Sequence, residues 1–407
     1  VDISGGDFGV VQIDGDRWRE QRRFSLHLLR NFGVGRPEME ASILHQATQL
    51  TDFLEREGRG GTAICTSSPL AVAVGNVINS ILFGMTFPQG SAEMERLHRL
   101  LECQSKLVIH PLMGLFIAAP WTTHLPLINR PWKQLLVNRE AMWSFLATQI
   151  QDHKKRSESG EAVTDFTFAY LDEIKRRRDQ REDPGSFSEW QLQMLLLDLF
   201  FAGMETTVTT LKWALLLMVL HEDVQEKVQE ELDSLPVLTV TLAYRNNLPY
   251  TIATIWEIQR IANILPINLL RTTAEDVMEG EFFFPSGTLV IPQISVLLND
   301  PSVWGESAAS FDPSRFLDDE GRLRKPVEFV PFSLGKRQCL GESLARAELF
   351  LLFANLLKRL RLRPSLEDPV PSRKRCLGLT SSPLPFSLRV FPRNCFDTNH
   401  NCLGENQ

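Results

Sequence analysis

The stretch Phe332-Ser333-Leu334-Gly335-Lys336-Arg337-Gln338-Cys339-Leu340-Gly341 places a cysteine in a glycine-flanked loop. The amphipathic run E-S-L-A-R-A-E-L-F-L-L-F-A-N-L-L, Glu342 to Leu357, follows directly. A thiolate acts as a metal ligand only if a tight loop carries the sulfur to the metal, and Gly335 and Gly341 offer the backbone freedom such a loop needs. The helix predicted after the loop aims its N-terminal amides back at the cysteine and favours the ionised sulfur. Cys339 therefore reads as a candidate metal ligand. The alternative open to these residues alone is a buried structural cysteine at a loop-to-helix junction.

A length of 407 residues allows two or three domains at about 150 residues each. No linker separates them: the most polar stretch, Lys154 to Asp183, is interrupted by the patterned segment F-T-F-A-Y-L-D-E-I. The expectation is one domain over residues 1–393 and a polar, unpatterned tail over 394–407. The net charge of -7 gives no support for nucleic-acid binding. Four arginines surround Trp18 between Arg17 and Arg23, the composition of a solvated helix face. Cysteines at 65, 103, 339, 376, 395 and 402 form no C-x-x-C pair and no zinc-like spacing, which fits a reducing compartment. The chain opens at Val1 and its first residues read like the middle of a domain, so a fragment is expected.

Helical periodicity dominates. Apolar residues recur at three- and four-residue spacing over Trp18–Leu29, Glu38–Arg56, Leu70–Phe83, Gln134–Lys155, Phe166–Arg178, Ser188–Leu220, Asp223–Leu232, Thr251–Ala262 and Glu342–Leu360. Shorter β-like pieces are Leu269–Thr273, Phe282–Phe284, Leu289–Pro292 and Phe386–Phe391, so the fold class is mainly α with minor β. In the longest helix, Ser188 followed by Gln191 predicts a capping box. Asp198, Glu205 and Lys212 recur at seven-residue intervals there, a polar stripe on an apolar cylinder that predicts a buried helix facing a site. The same helix carries A-G-M-E-T-T, Ala202 to Thr207. Gly203 costs about 1 kcal/mol of helix propensity, which predicts close approach of a ligand to the backbone. Thr206 is placed to divert a local carbonyl.

Phe332, Gly335, Arg337, Cys339 and Gly341 reproduce F-x-x-G-x-R-x-C-x-G, and the chain thereby resembles the cytochrome P450 family, whose haem loop has this form. A-G-x-E-T-T is similar to the distal-helix signature of the same family. W-R-E-Q-R-R-F-S-L-H-L-L-R-N-F-G and E-I-Q-R look like the animal microsomal branch that oxidises drugs and fatty acids. Matches run from G-G-D-F-G-V-V to P-L-P-F-S-L, nearly the whole chain; the family's N-terminal anchor, first helices and first strands have no counterpart, and the connection from Leu232 to Leu248 is shorter than usual.

The resemblance implies a helical fold around a buried haem b, with Cys339 as axial ligand of the iron. It implies that Thr206 and Glu205 deliver protons during dioxygen cleavage. Trp18, Arg22, Ala202, Arg271, Phe332, Arg337 and Gly341 would contact the haem, the arginines and the indole serving the propionates. Glu257 and Arg260, three apart in an apolar helix, would close a structural triad with Arg315 of P-S-R-F. Phe200, Phe201, Ile264, Leu265, Ile267 and Leu379 would line an apolar substrate pocket. Leu107 to Pro120 corresponds to a mobile roof, either dipping into lipid or simply buried. The implied activity is monooxygenation of a small apolar substrate with NADPH electrons from NADPH-cytochrome P450 reductase, with cytochrome b5 as a further partner, at the cytoplasmic face of the endoplasmic reticulum membrane. Competing readings are a haem-thiolate isomerase or peroxygenase, and a non-catalytic truncated haem-binding product.

Overall fold

The computed structural model describes residues 5–32, 36–162, 164–366 and 371–393. The expected tail at 394–407 lies outside the described residues.

The first half of the fold is helical. It comprises α1 (Gly15–Asn31), α2 (Pro37–Glu57), α3 (Ser67–Phe83), α4 (Ala92–Val108), α5 (Pro111–Ala118), α6 (Arg130–Glu158) and α7 (Phe166–Asp179). There follow α8 (Glu189–Leu220), α9 (Glu222–Asp233), α10 (Pro249–Ala262), the short α11 (Ile294–Asn299) and α12 (Pro301–Trp304), and α13 (Glu342–Arg359). Helix starts obey local chemistry. Proline occupies the first turn of α2, α5, α6 and α10, where its missing N–H costs no hydrogen bond. Ser91, Asp165 and Ser188 cap α4, α7 and α8 through their side-chain oxygens.

The capping box expected at Ser188 is half made. Ser188 accepts the Gln191 N–H at 3.1 Å, but the Gln191 amide turns away to clamp Gly9, accepting its N–H at 3.1 Å and donating to its carbonyl at 2.7 Å. Gly9 adopts φ +85°, and a Cβ there would stand 2.3 Å from the Asp198 carboxylate, so only glycine lets the loop lie this close to α8.

Strands are short. β1 (Ala63–Ile64), β9 (Leu388–Pro392) and β6 (Leu360–Pro364) make an antiparallel sheet in the order β1-β9-β6. Two-stranded pairs join β2 (Arg271–Thr272) to β5 (Leu289–Val290), β3 (Val277–Glu279) to β4 (Phe282–Phe284), and β7 (Arg375–Cys376) to β8 (Ser382–Pro383). One apolar core runs through α2, α3, α8, α9, α10 and α13. By length and composition α8 could cross a membrane, but it packs against α3, α6, α10 and α13 as the central helix of this core.

Gly203 has a different reason from the one its sequence predicts. A Cβ built there would meet Ile78 of α3 at 3.1 Å, so the missing side chain lets two helices approach rather than a ligand. The segment from Leu107 to Pro120 divides its faces. Phe116 and Met113 are buried with Trp132 and Leu135, while Ile117 is 68% and Leu115 42% exposed.

Candidate active site

The loop carrying Cys339 is closed by its own backbone, the Cys339 N–H donating to the Phe332 carbonyl at 3.0 Å. Its two left-handed residues are Ser333 (φ 62°) and Gly335 (φ 77°). Gly341, expected to share that strain, has φ -95° and instead caps α13. Its N–H points at the Cys339 sulfur and, with the Arg22 cation, favours the thiolate; burial is the larger influence and pushes the thiol up. Burial thus works against the helix-terminus effect predicted from sequence. A bound cation would reverse this, since metal ligation deprotonates a thiol outright.

Although protein surrounds Cys339, the residue is exposed. The two facts agree if its open side faces an internal space, and α8 has a matching feature: Ala202 is exposed in the middle of a helix whose next turns are buried. The Thr206 hydroxyl donates to the Ala202 carbonyl at 2.7 Å, and Thr210 repeats the bond to the Thr206 carbonyl at 2.8 Å. Thr206 thus saturates its own helix while keeping lone pairs free to accept. A cavity of about 50 Å³ is lined by Thr206, Thr210, Ile264, Leu265, Pro331 and Phe332 among others, so α8, the end of α10 and the cysteine loop converge on one space.

Three guanidiniums gather beside the loop. Arg337 stacks on the Trp18 ring at 4.1 Å and Arg22 approaches the same ring at 5.7 Å. Arg22 donates to the Gln338 carbonyl and Arg337 to the Ile13 carbonyl, each at 2.7 Å, while Arg271 reaches the Leu269 and Leu270 carbonyls at 3.2 Å. Among the described residues none of the three forms an ion pair with a carboxylate. Burial lowers the proton affinity of all three, and Arg337 also feels the charges of Arg271 and Arg22. Such a cluster of half-buried cations with only carbonyl partners is a cradle for anions, and with the accessible sulfur it fits a haem bearing two propionates.

The predicted triad is assembled. Glu257 takes a bidentate bond from Arg260 at 2.6 and 2.7 Å and a third from Arg315 at 3.1 Å. Glu257 and Arg260 are fully buried, and the Asp312 N–H also donates to Glu257 at 3.0 Å.

The pocket residues divide. Ile264 and Leu265 line the cavity beside Thr206, and Phe201 and Leu379 are half-buried. Ile267 is exposed. Phe200 is turned into the core against Phe83 and Phe145, because two helical steps from Ala202 carry it to the far side of α8. Sequence reasoning missed Glu348 of α13, wholly buried, which accepts from Thr207 Oγ1 at 3.4 Å and is pushed up by burial to about 8. It also missed Thr380, whose hydroxyl donates to Glu205 Oε1 at 2.8 Å.

The family model described as Cytochrome P450 matches residues 4–390. The chain belongs to the cytochrome P450 family. It is 37% identical over 395 residues to Cytochrome P450 2D9 of Mus musculus, covering 96% of this chain and 77% of that relative. It is 36% identical over 387 residues to Cytochrome P450 2J2 of Homo sapiens, covering 95% and 75%. Cytochrome P450 2J1 of Oryctolagus cuniculus is 35% identical with the same coverage. The mainly α fold agrees with this membership, these mammalian relatives match the animal microsomal branch, and the protein is a haem b monooxygenase.

Proposed function

We propose that residues 1–393 act as one catalytic domain that oxidises a small apolar substrate, a xenobiotic, fatty acid or steroid, using NADPH electrons delivered by NADPH-cytochrome P450 reductase. The observation that carries this reading is the shared cavity of Thr206 and Phe332, which sets the α8 signature against the cysteine loop. Haem b, when bound, supplies the chemistry of dioxygen reduction and C–H oxidation.

This chain's residues divide the remaining work. Cys339 would hold the iron, its sulfur receiving the Gly341 N–H. Arg22, Arg271 and Arg337 would hold the propionates, with Trp18 stacked beneath two of them. Ala202, small and accessible, leaves room over α8. The Thr206 hydroxyl would orient water in the cavity, accepting a hydrogen bond from it while donating to the Ala202 carbonyl. Glu205 is the acid: burial raises its carboxyl, so it holds a proton at higher pH than an exposed glutamate, and its Oε2 is buried without a partner among the described residues. Glu257, Arg260 and Arg315 fix the loop ahead of the haem segment.

The exposed apolar residues Ile117, Trp121 and Leu127 suit contact with lipid, and we place the enzyme at the cytoplasmic face of the endoplasmic reticulum membrane, with cytochrome b5 as a further electron partner. The test is product formation by the haem-loaded protein with reductase, NADPH and oxygen. Turnover that needs none of the three would favour the isomerase or peroxygenase reading.

A further inference from the structure

The polar stripe of α8 ends on an ion pair outside the residues assigned above. Lys212 lies seven positions after Glu205, its ammonium buried, and donates to Glu102 Oε1 of α4 at 2.8 Å. The Glu102 side chain keeps 28% of its surface accessible, so the pair runs from solvent inward. Glu102 supplies the counter-ion that offsets the desolvation of this side chain.

Helix α4 holds Glu205 from a second side. Ser105, one turn from Glu102, accepts the Thr380 N–H at its hydroxyl (3.3 Å) and the Leu379 N–H at its carbonyl (2.9 Å). Thr380 in turn donates its hydroxyl to Glu205 Oε1 at 2.8 Å. One helix therefore fixes both the hydrogen-bond donor of Glu205 and the counter-ion of Lys212. The charges reaching Glu205 are Glu102 and Lys106 of α4 and Lys212 of α8. α3, packed on the same helix, has no ionisable side chain. His98, 3.8 Å from Glu102, is held neutral because burial pushes it down to about 4. Glu102 raises and Lys212 lowers the proton affinity of Glu205, so the intact pair holds two opposed influences in balance and loss of either half would displace it.

We propose that the Glu102–Lys212 pair is a positioning device that sets the proton affinity of Glu205. This rests on the reading of Glu205 as the acid of the reaction. Removing either half should shift Glu205 in opposite directions. Glu102→Gln leaves Lys212 uncompensated and lowers the proton affinity of Glu205; Lys212→Met leaves Glu102 uncompensated and raises it.

The experiment is an infrared pH titration of the full haem-loaded chain in its oxidised resting state. The protonated carboxyl band of Glu205 is assigned by its loss in Glu205→Gln. Its midpoint should fall by about one pH unit in Glu102→Gln and rise by about as much in Lys212→Met. Lys212→Arg should restore the original midpoint, and the pH profile of product per NADPH should move with it. Unmoved midpoints, or shifts of the same sign, overturn the proposal. If Lys212→Met does not fold, the direction in Glu102→Gln decides alone. Opposite shifts combined with normal coupling in Glu205→Gln would uphold the charge-setting role and remove Glu205 from the chemistry.

Discussion

Replacing Glu257 by alanine removes the acceptor of four hydrogen bonds: two from Arg260, one from Arg315 and one from the Asp312 N–H. Both arginines keep carbonyl partners, Arg260 those of Leu298 and Ser310, and Arg315 those of Trp304, Ser307 and Ser310. What Arg260 loses is its counter-ion, at a position with no solvent access. Removing one partner of a buried pair costs about 3–5 kcal/mol, because the remaining charge stays desolvated. Against a typical total of about 5–15 kcal/mol that is a large share. With an unfolding entropy of about 2.1 cal/mol/K per residue, the same loss lowers the melting temperature by roughly 4–6 °C. The assay is urea unfolding followed by tryptophan fluorescence, with haem per protein measured on the soluble fraction. Glu161→Ala, which removes the partner of the exposed Arg156, serves as control and should change little. A Glu257→Ala protein within about 1 kcal/mol of the parent and fully haem-loaded would refute the buried-charge reasoning.

Thr206→Ala should bind haem and substrate but consume NADPH with more peroxide released per product, and Glu205→Gln should slow oxygen consumption; unchanged stoichiometry of NADPH, peroxide and product in Thr206→Ala removes that hydroxyl from the mechanism. Gly203→Ala should leave haem content intact and stability nearly unchanged, since the tight contact with Ile78 offsets about 1 kcal/mol of gained helix propensity; loss of haem without loss of stability would restore the idea that a ligand lies against this glycine. Glu348 binds its proton more tightly in the folded state, near 8 against 4.5 for an ordinary glutamate, so folding takes up a proton between these values and stability falls as pH rises through them. Glu348→Gln lacks that fall and should therefore gain on the parent toward pH 8 in urea midpoints; parallel pH dependences would contradict the assignment.

Sequence made legible what local pattern encodes. The ten-residue loop located Cys339, E-I-Q-R with P-S-R-F located the triad, and periodicity located α8 to within a residue at each end. Other features depend on what lies across the fold. The reason for Gly203 is Ile78, and the inward turn of Phe200 follows from Phe83 and Phe145, neither visible along α8 itself. Glu348 lies in the amphipathic run that follows the cysteine loop, where nothing local marks it as buried, yet the packing of α13 buries it completely. α4 was missed although Met94, Leu97 and Leu101 keep helical spacing, because the buried polar residues His98, Gln104 and Ser105 share that face, and with it went the pairing of Glu102 with Lys212, 110 residues apart. Strands as short as β1, β7 and β8 carry no alternation long enough to detect.

The most direct test of the account is the absorption spectrum of the reduced, carbon monoxide-bound protein. Thiolate ligation by Cys339 predicts the strongly red-shifted Soret band in the parent and its loss in Cys339→Ala, while Cys65→Ala, which alters another exposed cysteine, should retain it. A red-shifted band that survives in Cys339→Ala would contradict the central claim.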